Sequence, residues 1–104
     1  MSEVVILPAT TTATVNTPFD TKGMSSVVIS ASNLAGLEKV KLFRNVAGTW
    51  IQVVNSSGAA VELAAVGTAP GPSYELPGGA TYSFSKDSTA GACAVAISFI
   101  PNNP

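Results

Sequence analysis

The stretch ACAVAISFI, residues 92–100, decides the fold class. It alternates large and small side chains, with Cys93, Val95, Ile97 and Phe99 set against Ala92, Ala94, Ala96 and Ser98. A period of two belongs to a strand with one face in a core, whereas a helix would repeat every 3.6 residues. The large face is therefore core, and the small face either meets solvent or lets another layer approach closely. Working outward, residues 80–86 put Tyr82 and Phe84 on one face and Thr81, Ser83 and Ser85 on the other. Residues 26–31 turn Val27, Ile29 and Ala31 to one side, with only Val28 breaking the pattern. In residues 38–44, Val40 and Leu42 share a face while Lys39, Lys41 and Phe43 point the other way. The turn chemistry of residues 45–48 and a second strand over 49–54 make residues 38–54 a β-hairpin.

Turn signals divide the remainder into short strands. Asn55, Ser56, Ser57 and Gly58 lead into residues 59–64. Pro70, Gly71 and Pro72 break the chain before a strand at 73–76, and Pro77, Gly78 and Gly79 turn it again. At the start, Glu3 to Leu7 is a short apolar strand stopped by Pro8, followed by the threonine-rich 10–17, while Pro18 and Gly23 bound the next loop. Residues 33–37 are long enough for one helical turn. Residues 59–65 favour helix on propensity, but Gly58 and Gly67 leave too short a span for an independent one. The expectation is a single all-β domain over 1–104: an antiparallel β-sandwich of about eight short strands, jelly-roll-like or immunoglobulin-like. Residues 1–17 form either an N-terminal arm or an edge strand.

Composition narrows the function. The 104 residues are 46% hydrophobic and only 11% charged, with a net charge of -1, no histidine and one cysteine. Ordinary domains carry about 25% charged residues. A basic nucleic-acid surface needs several cations on one face, and the only local cluster, Glu38 to Arg44, is mixed in sign. No apolar run approaches the roughly 20 residues that cross a bilayer. The opening Met1, Ser2, Glu3 lacks the basic and apolar regions of an export signal, so synthesis in the cytosol is expected. A chain this poor in charge has little to oppose burial of its surface against another protein.

Catalysis finds little footing. Without histidine there is no common general base and no Cys/His metal cluster, so no metal or cofactor is expected. Cys93 lies in an apolar run with nothing to activate it and reads as a small buried hydrophobe. Ser85 and Lys86 are adjacent, which on a strand sends them to opposite faces. Gly78 and Gly79 form a turn, because no phosphate-binding glycine motif surrounds them. The chain is expected not to be an enzyme and to have no catalytic residues. Trp50 is the residue type most enriched in binding hot spots, although a tryptophan early in a sandwich strand ordinarily packs. Tyr74 and Tyr82 read as core-edge residues whose hydroxyls reach solvent. The apolar run at Val5, Ile6 and Leu7 belongs by default to its own sheet, the alternative being addition to a neighbour's edge.

The run 40–50, the N-S-S-G turn at 55–58, residues 61–63, and Tyr74, Glu75, Leu76, Pro77, Gly78 and Gly79 with Tyr82 resemble small accessory virion proteins of tailed bacteriophages, especially capsid decoration or cement proteins. The resemblance implies a histidine-poor β-sandwich made in the host cytoplasm, a homotrimer as such proteins often are, bound to the major capsid protein at local three-fold positions on the outside of the head. It implies a virion location, and a structural role in stabilising the shell without nucleic acid or membrane as partner. Val5, Ile6, Leu7 and Trp50 are the expected partner contacts. The competing expectation is a receptor- or carbohydrate-binding module of a tail or head fibre, with an aromatic shelf around Trp50.

Overall fold

The computed structural model describes residues 2–35, 37–64 and 72–101. Strands account for the regular structure: β1 (Ser2–Thr10), β2 (Thr14–Asp20), β3 (Met24–Ala31), β4 (Lys39–Val46), β5 (Thr49–Gln52), β6 (Glu62–Ala64), β7 (Ser73–Pro77), β8 (Thr81–Lys86) and β9 (Cys93–Pro101). They form two antiparallel sheets, one in the order β1-β9-β3-β7 and the other β2-β8-β4, with both β5 and β6 on the far side of β4. Pairing is nested. β1 pairs with β9, β2 with β8, β3 with β7, and β4 with β5 and β6. The chain is thus one long hairpin that has rolled up, so that β9 also meets β3 and β8 also meets β4. This is jelly-roll order, which decides between the two sandwich topologies expected from sequence. The nine strands, against about eight expected, fill eight places in the two sheets, because β5 and β6 share a single place beside β4. Between them the chain makes an excursion over residues 53–61, in which Val53 N–H donates to the Leu42 carbonyl before leaving, and Leu42 N–H donates to Val61 on the return.

The inward faces match the alternation. Val27, Ile29, Ala31, Leu76, Cys93, Val95 and Ile97 of the first sheet are buried against Phe19, Val40, Leu42, Leu63, Tyr82 and Phe84 of the second. Phe19 packs on both Tyr82 and Phe84, with ring centroids 5.8 and 6.2 Å away. Each valine, leucine, isoleucine and phenylalanine among them contributes roughly 1.5–3 kcal/mol through burial. Residues 33–35 are not helical, and the strand expected over 59–64 narrows to β6. The Pro70-Gly71 break and the end of the 59–65 segment lie outside the described residues.

Two prolines expected to end strands do not. Pro8 lies within β1 and Pro18 within β2, where it stands opposite Ser83. Both strands are edges, where a missing N–H costs no ladder hydrogen bond if it faces outward. β1 also bulges between Val5 and Leu7 and again before Thr10, and β2 bulges between Thr14 and Thr17, where Asn16 takes φ 46°. Lys86, expected to diverge from Ser85, does so. It turns inward and is 2% exposed, with Nζ donating to the Thr12 and Asp87 carbonyls at 3.0 and 3.1 Å and to Thr89 Oγ1 at 3.3 Å.

Two turns test this account. The β4–β5 loop is Ala47-Gly48, closed by the Val46–Thr49 pair, with φ 51° and 86°. Those are type I′ angles, which suit the strand twist but cost an alanine about 1 kcal/mol. Asn45 Oδ1 accepts the Gly48 N–H at 3.1 Å and partly offsets that cost. Ala47→Asn should raise stability by about 0.5–1 kcal/mol, read as a higher urea midpoint at unchanged slope; no gain would mean that the turn is not I′. At Gly78 a Cβ would collide with the backbone carbonyl of Met24. Thr21 holds that approach in place, its Oγ1 donating to the Ala80 carbonyl at 2.6 Å and accepting the Ala80 N–H at 3.0 Å. Gly78→Ala should cost about 1–3 kcal/mol, whereas Gly79→Ala would lose through its φ of 85° rather than by collision.

Candidate functional site

The inward face of β4 changes character partway along. Val40 and Leu42 are fully buried, but Arg44 and Val46, next on the same face, are exposed. Arg44 stands opposite Ile51 of β5 and Tyr82 of β8, so all three side chains share that face. Beyond Leu42 the β4–β5 hairpin outruns the cover of the first sheet. The resulting groove, of about 330 Å³, has Arg44, Val46, Ile51, Val53 and Val54 on one side and Tyr74 to Pro77 of β7 on the other, with Tyr82 between. Val46, Ile51 and Val54 are 48%, 51% and 58% exposed, which concentrates three of the large exposed apolar side chains on one flank.

Tyr82 closes the groove on the core side. Its ring is buried and its hydroxyl donates to the Pro77 carbonyl at 2.7 Å, a bond that ties the second sheet to the end of β7. The expectation of a hydroxyl reaching solvent is therefore corrected for Tyr82: the tight corner over residues 78–80 brings the Pro77 carbonyl back to it. Burial pushes the Tyr82 hydroxyl above its usual range, and the Arg44 charge opposes that rise. The one ion pair among the described residues is Lys39–Glu62 at 3.2 Å, so no described carboxylate lies within ion-pair distance of Arg44. The site can take up an apolar side chain and hold an anion beside it.

The residues expected to contact a partner do not converge. Val5 lies opposite Ala96 on the outer face of β1 and is 57% exposed. Ile6 and Leu7 are partly buried against the core, so this run belongs to its own sheet. Trp50 is half-buried on the outer face of the second sheet, opposite Asn45. β1 and β2 border one flank and β5 and β7 the other, so Val5 and Trp50 sit on opposite sides of the sandwich. Cys93 is fully buried, and burial pushes its thiol up, away from the nucleophilic form. Sequence reasoning missed Arg44, Val46, Ile51 and Val54. Their one signal was a hairpin whose apolar alternation ran past the length that an opposing strand could cover.

Among the described residues no group of three or more His, Cys, Asp or Glu is gathered where it could hold a metal ion. Because folded Tyr82 holds its proton more tightly than the unfolded chain, whose tyrosines ionise near pH 10, its contribution is complete below that pH and is lost as pH rises through the folded value. Tyr82→Phe should cost about 1 kcal/mol at neutral pH and flatten the alkaline decline in stability, measured by denaturation at pH 7 and above pH 10. An unchanged decline would place its origin elsewhere. No family model, curated protein or solved structure matches this chain.

Proposed function

We propose that this chain is a structural virion protein of a tailed bacteriophage, which binds the outer surface of the capsid through the major capsid protein, stabilises it, and acts as a homotrimer. The observation that carries the reading is the exposed apolar cluster of Val46, Ile51 and Val54 on one flank of a domain whose surface has few charges to keep it in water. Contiguous apolar surface of this kind marks contact with another macromolecule. Jelly rolls recur in viral capsid and lectin domains, which supports the reading at the level of fold only. The sequence resemblance supports it independently. A trimer would let weak patches hold: contacts of about -4 kcal/mol each correspond to millimolar affinity, and linking them adds roughly 10² to 10⁴ in avidity where the geometry matches.

A second reading has an observation of its own. Phe43 and Trp50 lie on the same outer face of the second sheet, with Asn45 and Gln52 beside them in the register. Aromatic rings flanked by amides suit a sugar, as in a carbohydrate-binding module of a fibre. Heads assembled without the chain, incubated with the purified protein and sedimented, distinguish the two. Saturable, stoichiometric binding with increased resistance of the heads to heat is expected. Protein that stays in the supernatant, together with glycan binding abolished by Trp50→Ala, would replace the first reading with the second.

A further inference from the structure

We infer that the outer edge of β7, which pairs with no strand among the described residues, and the groove beside it form a docking site for an extended strand of a partner protein, one that carries a carboxylate between apolar side chains. This deepens the proposed function and rests on its premise that this flank meets a partner. The first ground is how the four sheet edges differ. β1 is interrupted by Pro8 and two register shifts, β2 by Pro18 and one, and the β5–β6 edge by the excursion over 53–61. Those devices are what natural sheets use to prevent strand addition. β7 differs from those edges in continuity: it pairs with β3 over Ser73 to Pro77 in unbroken register, and its proline stands at its last position rather than within the strand.

The second ground is which backbone groups that edge offers. In an antiparallel ladder, residues alternate between bonding the neighbour and facing away. Ala31 N–H donates to the Pro72 carbonyl, and by alternation Tyr74 and Leu76 also bond β3. Ser73, Glu75 and Pro77 then turn their backbone groups outward. Pro77 has no N–H, and its carbonyl is taken by Tyr82, which ends the usable edge. Ser73 and Glu75 remain; with no backbone partner on that side among the described residues, they offer two N–H and two C=O groups to an incoming strand.

The third ground is charge. Side chains of an added strand would alternate between solvent and the groove, where they meet Val46, Ile51, Val54 and Arg44. Glu75 does not answer Arg44, since its Oε2 accepts a hydrogen bond from Ser26 Oγ on the outer face. A guanidinium set in apolar surface with no described carboxylate in reach selects an acidic residue on the incoming strand. The same charge disfavours a second copy as occupant. Two β7 edges paired about a two-fold axis would bring both Arg44 side chains into one interface.

The test is an NMR titration of the full chain with the capped peptide Thr-Val-Thr-Glu-Thr-Val-Thr, which turns Val, Glu and Val to one side, and with its Glu-to-Lys counterpart. The acidic peptide is expected to shift the Ser73 and Glu75 amides and to bind at least about tenfold more tightly than the basic one. Arg44→Glu should reverse that preference, while Lys41→Glu, on the outer face of β4 with the same change in charge, should leave it intact. Equal binding of both peptides, shifts confined to other edges, or self-association abolished by Arg44→Glu would overturn the inference. If Arg44→Glu protein still occupies heads as the parent does, the strand site fails while the proposed function stands. If the parent itself does not occupy heads, the proposed function fails.

Discussion

The structure depends on the meeting of two inner strands. β8 and β9 are the strands with a neighbour on each side that also come late in the chain, and their inward side chains, Tyr82 and Phe84 from one and Cys93, Val95 and Ile97 from the other, are buried in a common core. Each must find partners made much earlier: β9 inserts between β1 and β3, and β8 between β2 and β4. The outermost pair closes almost the whole chain, with Ser2 opposite Phe99. Such non-local pairing costs loop entropy before it yields burial, so folding is expected to be slow and cooperative in the manner of other sandwiches. The turns that shorten the search, Ala47-Gly48 and the Thr21-clamped Gly78-Gly79 corner, are correspondingly specific in their backbone geometry.

Rolling a hairpin into two sheets leaves four edges, and those edges differ in regularity. Prolines and bulges on β1 and β2 interrupt the regular pairing that an added strand would need. The opposite flank keeps a regular edge strand and leaves apolar side chains open beside it. Tyr82 links the two roles, since its ring belongs to the core while its hydroxyl fixes the end of β7 and its neighbour Arg44 supplies the charge of the groove.

Much of this was legible in the sequence. Alternation located β3, β4, β8 and β9, and turn residues placed the hairpin and the Pro77-Gly78-Gly79 corner, because a period of two and a positive φ are local properties. Strand order was not legible, since nothing in residues 2–10 names β9 as their partner. Pro8 and Pro18 read as strand ends because their tolerance depends on lying at an edge, which only the assembled sheet defines. The groove was hidden for a related reason. Val46 and Ile51 continue the core pattern of their strands and become surface only because the opposing sheet stops short of them. Trp50 drew notice by residue type and lies on the other face of the hairpin from the groove.

The proposed adhesion runs through the flank bordered by β5 and β7. Amide hydrogen exchange, compared between the free protein and the protein bound to capsids, addresses it residue by residue. Strong slowing is expected at Ser73 and Glu75, where edge amides would gain partners, with β1 and β2 unchanged. Exchange at those two amides as fast as in the free protein, with protection instead around Val5 or over the face that bears Trp50, would contradict it.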